Sequence, residues 1–354
     1  RVQIDAMTRI EAGEALEAGL RPLSVEGYLS SWRSAYVSDS TASSDGDGDR
    51  VPTGRRAALR EAVRASDTLA RRLFASGRGE DAFVVPELVE DPFMGLINVF
   101  EHEGDFSCVA QTAAEVEVPK VFPLSEKRRD AGRSCVVTKP DFLRAYELFT
   151  ENQLRDLDWN GVFAAGGSVL ACLQPLPPEC ATSRQKRRYM HDQGFPGSDI
   201  DLFLYGLTPE QAVAKIQHIY DVVCDNCPFD VLCFRSSHAV TMVSQYPYRH
   251  VQVVLRLYSS PSEVLNGFDV DSCAVGFDGS EAWVAQRAHQ ALTTQTNPVD
   301  LTRRSPTYEM RLAKYASRGF EVLVPGLQRD RVDPMLMERP WKRVQGLGKM
   351  ILLE

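Results

Sequence analysis

The reading of this chain turns on two stretches, Val162-Phe163-Ala164-Ala165-Gly166-Gly167-Ser168-Val169-Leu170 and Ser198-Asp199-Ile200-Asp201-Leu202-Phe203-Leu204-Tyr205. Val162–Ala165 is an apolar extended segment stopped by two glycines, and Ser168–Leu173 reads as the first turns of a helix. Glycines at a strand-to-helix junction permit unusual dihedrals and close approach of a ligand. The helix start offers free N–H groups and a positive end, which suit a phosphate, and Ser168 adds a hydroxyl. Ile200–Tyr205 reads as a strand with Leu202, Phe203 and Leu204 as its apolar body. Asp199 and Asp201, two positions apart, share one face of it. Paired carboxylates repel each other unless a cation lies between them. Mg²⁺ is commonly held by such a pair together with substrate phosphates, and two metals can clamp both oxygens of a phosphoryl or nucleotidyl transfer.

Outward from this centre, Pro140-Asp141 opens a helical stretch bearing Phe142, Leu143, Tyr146 and Phe149. Thr150 with Gln153 forms a capping pair for a second short helix ending near Trp159. Residues 174–197, with four prolines and the basic run Arg184, Lys186, Arg187, Arg188, read as a surface loop. Thr208, Pro209 and Gln211 cap a helix whose inner face is Ala212, Val213, Ile216, Ile219, Tyr220 and Val223. Ala239–Gln245 and His250–Tyr258 pair as a hairpin across Tyr246-Pro247-Tyr248-Arg249. Ser260, Pro261 and Glu263 cap a short helix that Gly267 ends. Val270–Phe277 reads as a strand, turned by Asp278-Gly279 into Ala282–Ala285. Ser305-Pro306 starts a helix running to Arg318.

The glycine turn followed by Asp-hydrophobic-Asp resembles the DNA polymerase β-like nucleotidyltransferase superfamily. The longer run from Trp159 to Leu170, with Ser198 to Gly206, is similar to an uncharacterised fungal and viral group within it, sometimes linked to ankyrin repeats. The resemblance extends through Arg249-His250-Val251-Gln252, Gly267-Phe268-Asp269-Val270-Asp271 and Lys314-Tyr315-x-x-Arg318-Gly319-Phe320, covering about residues 140–340. It implies an α+β fold, a nucleotidyltransferase-like mixed sheet flanked by helices. It also implies Mg²⁺, or Mn²⁺ in its place, on Asp199 and Asp201, with an NTP as substrate. Gly166, Gly167 and Ser168 would hold the triphosphate, with Arg256 and Lys314 as further nucleotide-binding candidates. The acceptor, whether protein, RNA or small molecule, stays open.

Two departures stand out. About thirty residues separate Ser168 from Asp199, an excess that a surface insertion explains at small cost in loop closure. More seriously, the third carboxylate of active members corresponds to Gln252, which offers a carbonyl but no charge and no base. Asp269, taken as the third catalytic candidate, or Asp271 would have to supply it; both also fit plain capping roles. The alternatives are therefore a catalytically inactive nucleotide-binding or protein-interaction module, and a nucleic-acid-binding protein using Arg304, Arg311, Lys314 and Arg318 along one helix face. That row fits a solvated helix face better.

Residues 1–139 read as a helical, partly disordered addition, with a Ser/Asp/Gly loop near 38–54 and a helix over 55–76 stopped by Gly77. The apolar runs Ala82–Val85 and Cys135–Val137 resist ordering into a sheet. Residues 341–354 form a tail or boundary. The net charge of −8 argues against a general polyanion-binding surface. No run spans a bilayer, and no signal peptide opens the chain. The expectation is an intracellular protein, cytoplasmic or nuclear, with reduced thiols. Its ends read as fragment boundaries, which leaves room for further domains. Cys224, Cys227, Cys233 and His238 have the ligand types for zinc without a known spacing.

Overall fold

A computed structural model describes residues 21–37, 53–76 and 91–354. In chain order its elements are α1 (Val25–Tyr36), α2 (Thr53–Ser76), β1 (Leu96–Asn98), the one-turn α3 (Ala113–Val116), β2 (Lys120–Val121), α4 (Lys139–Phe149), β3 (Val162–Ala165), α5 (Gly167–Leu173), α6 (Ser183–Tyr189) and β4 (Ile200–Tyr205). There follow α7 (Pro209–Asn226), β5 (Leu232–Arg235), β6 (Ala239–Val243), β7 (Val251–Tyr258), α8 (Pro261–Asn266), β8 (Val275–Phe277), β9 (Ala282–Ala285), α9 (Gln286–Thr294), β10 (Thr296–Pro298), α10 (Tyr308–Ala316), β11 (Glu321–Leu323) and α11 (Leu347–Leu353). The fold is α+β. One sheet of eight strands runs in the order β1-β9-β8-β3-β4-β7-β6-β5, and a second of three strands in the order β10-β11-β2. In the large sheet β4 and β7 are parallel and every other pair is antiparallel.

Local chemistry explains most boundaries. Thr138, Thr208 and Ser260 each accept a backbone N–H at the start of α4, α7 and α8, and a proline occupies the first turn of each. Along β4 the alternate residues Ile200, Leu202 and Leu204 are fully buried, which turns Asp201 and Phe203 to the opposite face. α7 packs against β7, and α5 against β3, β4 and β8.

Several expectations need correction. The stretch 150–159 is a chain of turns, not a helix. Thr150 Oγ1 bonds back to Tyr146 O, Gln153 donates to Arg249 O, and Glu151, Asn152 and Asp156 sit at positive φ. Residues 174–197 contain α6, whose N-terminus carries a reciprocal Thr182–Gln185 capping box, followed by a π-turn over Met190–Gly194. The strand expected over Val270–Phe277 begins only at Val275, because Asp271–Cys273 form a 3-10 turn whose Ser272 N–H is captured by Asn297. α10 starts at Tyr308, since Ser305 instead donates to Asp269. Val213 is exposed on α7, and Val222 takes the inner position. β5 is a strand that the sequence pattern does not mark.

Residues 38–52 of the expected loop, the Gly77 stop and the Ala82–Val85 run lie outside the described residues; Thr53 and Gly54 already belong to α2. The boundary at 139/140 runs through shared packing: β1 pairs with β9, and β2 with β11. Tyr28 of α1 hydrogen-bonds His289 Nδ1 of α9 at 2.7 Å, while His289 Nε2 meets Asp105 O at 3.0 Å. Trp32 and Phe106 meet the same imidazole edge-on. Burial depresses the His289 pKa to about 4, so it is neutral.

Candidate functional site

The parallel register of β4 and β7 sets Asp201 beside Gln252, and the antiparallel register of β7 and β6 sets Gln252 beside Thr241. Gln252 Nε2 donates to Thr241 Oγ1 at 3.1 Å. Two residues before Gln252 and Asp201 respectively, His250 Nδ1 lies 3.5 Å from Asp199 Oδ1. A cleft of about 420 Å³ opens over this face. It is lined by Gly166 and Gly167, by Ser198, Asp199, Asp201 and Gln252, by Arg311, Lys314 and Tyr315 of α10, and by an apolar wall that includes Phe203, Tyr258 and Phe268. A larger cavity of about 1040 Å³ lies between α2 and β10–β11 and contains none of these residues.

Each wall has a structural cause. Gly166 takes φ 89° at the end of β3, a conformation that disfavours any side chain, and a Cβ there would meet Phe268 Cε1 at 3.1 Å. A Cβ on Gly167 would meet Arg318 Nη1 at 3.3 Å. The two glycines thus leave backbone, not side chain, facing the cleft. The loop that delivers Asp199 is fastened by Arg249, a buried guanidinium that donates to Met190 O, Phe195 O and Ser198 O at 2.9–3.1 Å and lies over the Phe149 ring. Arg318 adds a second tie, donating to Ser198 Oγ at 2.6 Å and stacking on Phe195.

The electrostatics of the pair follow from this packing. Burial, and then the neighbouring Asp199 charge, push the Asp201 carboxyl up to about 6, against the pull of Lys314 and Arg311. The Lys314 ammonium is moved the other way, downward, by burial and by Arg318 and Arg311, with the two aspartates opposing. The site therefore holds two carboxylates at a cost, opposite a lysine that is itself partly desolvated. A divalent cation would offset the cost of the paired carboxylates.

The sequence-predicted residues divide. Asp199, Asp201, Gly166, Gly167 and Lys314 share the cleft. Ser168 is fully buried, its hydroxyl meets no partner, and it does not line the cleft. Arg256 turns out to Glu263, 3.1 Å away. Asp269 accepts from Ser305 at 2.6 Å and pairs with Arg311 at 3.1 Å, and Asp271 pairs with Arg287 at 2.8 Å. Neither lines the cleft, whereas Gln252 does. Arg304 precedes α10 and pairs with Glu309. Among the described residues no group of three or more His, Cys, Asp or Glu gathers as a metal shell; this includes the Cys224–His238 cluster, where Cys227 instead meets Ser244. His250 is the neighbour that sequence reasoning passed over. Its tie to Asp199 exists only through the β4–β7 register, which no local pattern reveals.

Comparison with known proteins adds the following. Residues 137–295, just under half the chain, match a family described as Gad2, Gabija anti-defense 2 family protein. Over 189 residues, 49% of this chain, the sequence is 33% identical to "Uncharacterized protein R883" of Acanthamoeba polyphaga mimivirus. The match spans 38% of that relative's length. A solved complex of a CCA-adding enzyme with CTP is 12% identical at a TM-score of 0.29, covering 58% of this chain and 44% of that one. No helix among the described residues is long and apolar enough to cross a membrane.

Proposed function

We propose that the cleft binds a nucleoside triphosphate together with a divalent cation, as a site of the nucleotidyltransferase kind. The observation that carries this reading is the half-buried Asp199/Asp201 pair, on one strand face and opposite Lys314, with backbone glycines between. Asp199 and Asp201 would hold Mg²⁺, or Mn²⁺, with the Gln252 carbonyl as an uncharged neighbour. Bound there, the cation would neutralise charge on the phosphates. Gly166 and Gly167 admit the phosphates closely, Lys314 supplies a positive charge across the cleft, and Phe203, Tyr258 and Phe268 offer an apolar wall to a base.

Gln252 cannot take a proton from an acceptor, so binding without transfer is the reading the geometry supports best. A second reading, nucleotidyl transfer to an acceptor, is favoured by one observation: His250 lies 3.5 Å from Asp199 at the cleft rim, where an imidazole can accept a proton. The family name attached to 137–295 speaks of anti-defense.

Titration calorimetry with each NTP, with and without Mg²⁺, tests the proposal. Metal-dependent binding that vanishes in Asp199→Ala/Asp201→Ala is the expected result; no binding to any NTP overturns it. Incubation with labelled NTP and candidate acceptors separates the two readings. Transfer lost in His250→Gln, with binding retained, establishes the second.

A further inference from the structure

The far end of the large sheet is an edge strand with exposed apolar residues. β5 is the terminal strand, paired to β6 on one side and to nothing on the other among the described residues. All four of its residues are exposed, including Leu232 at 59% and Phe234 at 57%. Long exposed apolar edges are normally blunted by charge, proline or a covering element. Among the described residues no proline lies within β5 and no element covers it, and Arg235 is its one charge.

The hydrogen-bond parity of this edge is fixed. Ser236 N–H donates to Ala239 O at 2.8 Å, and Phe234 and Leu232 face Thr241 and Val243 in the same alternation. Residues 232, 234 and 236 therefore direct their backbone groups into the sheet. Val231, Cys233 and Arg235 direct theirs outward. An antiparallel partner strand must offer the complementary set, and β5 offers it to a copy of itself. We propose that the chain forms a two-fold dimer by antiparallel pairing of β5 with β5, centred on Cys233.

In that register Cys233 faces Cys233, Val231 faces Arg235, and about six backbone hydrogen bonds close. Leu232 of each copy faces Phe234 of the other, so the two exposed apolar residues cover each other twice on one side of the sheet. Like charges do not oppose one another, since Arg235 meets Val231 and Asp230 meets Ser236. The two-fold axis stands perpendicular to the sheet, which keeps the same face upward in both copies. That face is the one carrying the aspartates, because Phe234, Thr241, Gln252 and Asp201 form one cross-strand row. The dimer thus joins two clefts on one continuous sixteen-stranded face, with the two Asp201 residues seven strand spacings apart, or about 34 Å. The proposal is independent of what the cleft binds.

Sedimentation velocity on the whole chain, over about 1 to 300 µM, tests it. The expected mass rises with concentration from 39.4 kDa toward twice that value. Leu232→Lys or Phe234→Glu alone should weaken the dimer by about tenfold or more. The double variant should restore it, because each Lys then faces a Glu of the other copy. Both positions are exposed, so the variants should fold, and circular dichroism checks this. A short bis-maleimide should link wild-type copies and fail on Cys233→Ser. A chain that stays monomeric throughout, or a dimer indifferent to these substitutions, overturns the proposal.

Discussion

Asp201→Asn should make the protein more stable while removing its capacity for a cation. Asp201 is held at about 6, against 3.8 for a free carboxyl. At about 1.4 kcal/mol per tenfold change, keeping the ionised form folded costs up to roughly 3 kcal/mol. The sign follows from linkage. Between about pH 4 and 6 the native state holds a proton that the unfolded chain has released, so this residue's penalty is absent at low pH and complete above about 6. Asparagine keeps the volume and never charges. In thermal denaturation at pH 7.5 the variant should melt about 2–6 °C above wild type, and the two should converge near pH 4. Mg²⁺ plus the preferred NTP should raise the wild-type midpoint and leave the variant's unchanged. A variant that melts below wild type at pH 7.5, or a difference that ignores pH, would refute the claim that charge repulsion and burial set the state of this site.

Other outcomes follow from the same structure. Gln252→Glu adds the third carboxylate beside Asp201 and should tighten Mn²⁺ binding on the order of tenfold, read by paramagnetic titration, while lowering stability without metal. Arg249→Met leaves three buried carbonyls without their donor and should lose about 3 kcal/mol or more in urea denaturation. Gly166→Ala, at φ 89° and against Phe268, should cost about 1–2 kcal/mol by the same measurement. His289 contributes in the opposite pH direction to Asp201. With its pKa depressed to about 4, its stabilisation is full above about 6.5 and falls by up to roughly 3 kcal/mol as the pH drops toward 4. His289→Gln should flatten that part of the urea midpoint against pH.

The parts of this fold legible in the sequence are those where local rules act alone. Pro140, Thr208-Pro209 and Ser260-Pro261 mark helix starts because such signals are decided within four residues. Asp199 and Asp201 share a face because strand periodicity needs no partner. The errors arise where distant groups intervene. Gln153 matches a capping pattern but is drawn to Arg249, nearly a hundred residues away, and the helix it should have started is missing. Ser305 looks like a helix cap but serves Asp269. Ser168 looks like a phosphate ligand, yet its hydroxyl points into the core. Asp269 looks like a third acid, and Arg311 claims it. In the candidate site, the members contributed by one strand or one turn could be read in advance. His250 and the Gln252–Asp201 pairing depend on which strands lie side by side.

The grip of Arg249 on Met190, Phe195 and Ser198 has a consequence for how this protein can change. Chain leaving α5 wanders through prolines and the basic α6 before returning to β4. Its last nine residues are bolted to the guanidinium of Arg249, in the segment that leads into β7. Lengthening, shortening or replacing the excursion upstream of Met190 leaves that mount untouched. The arm between the glycine turn and the aspartates is thus an exchangeable fitting. Natural variation can reshape what approaches the cleft without displacing Asp199.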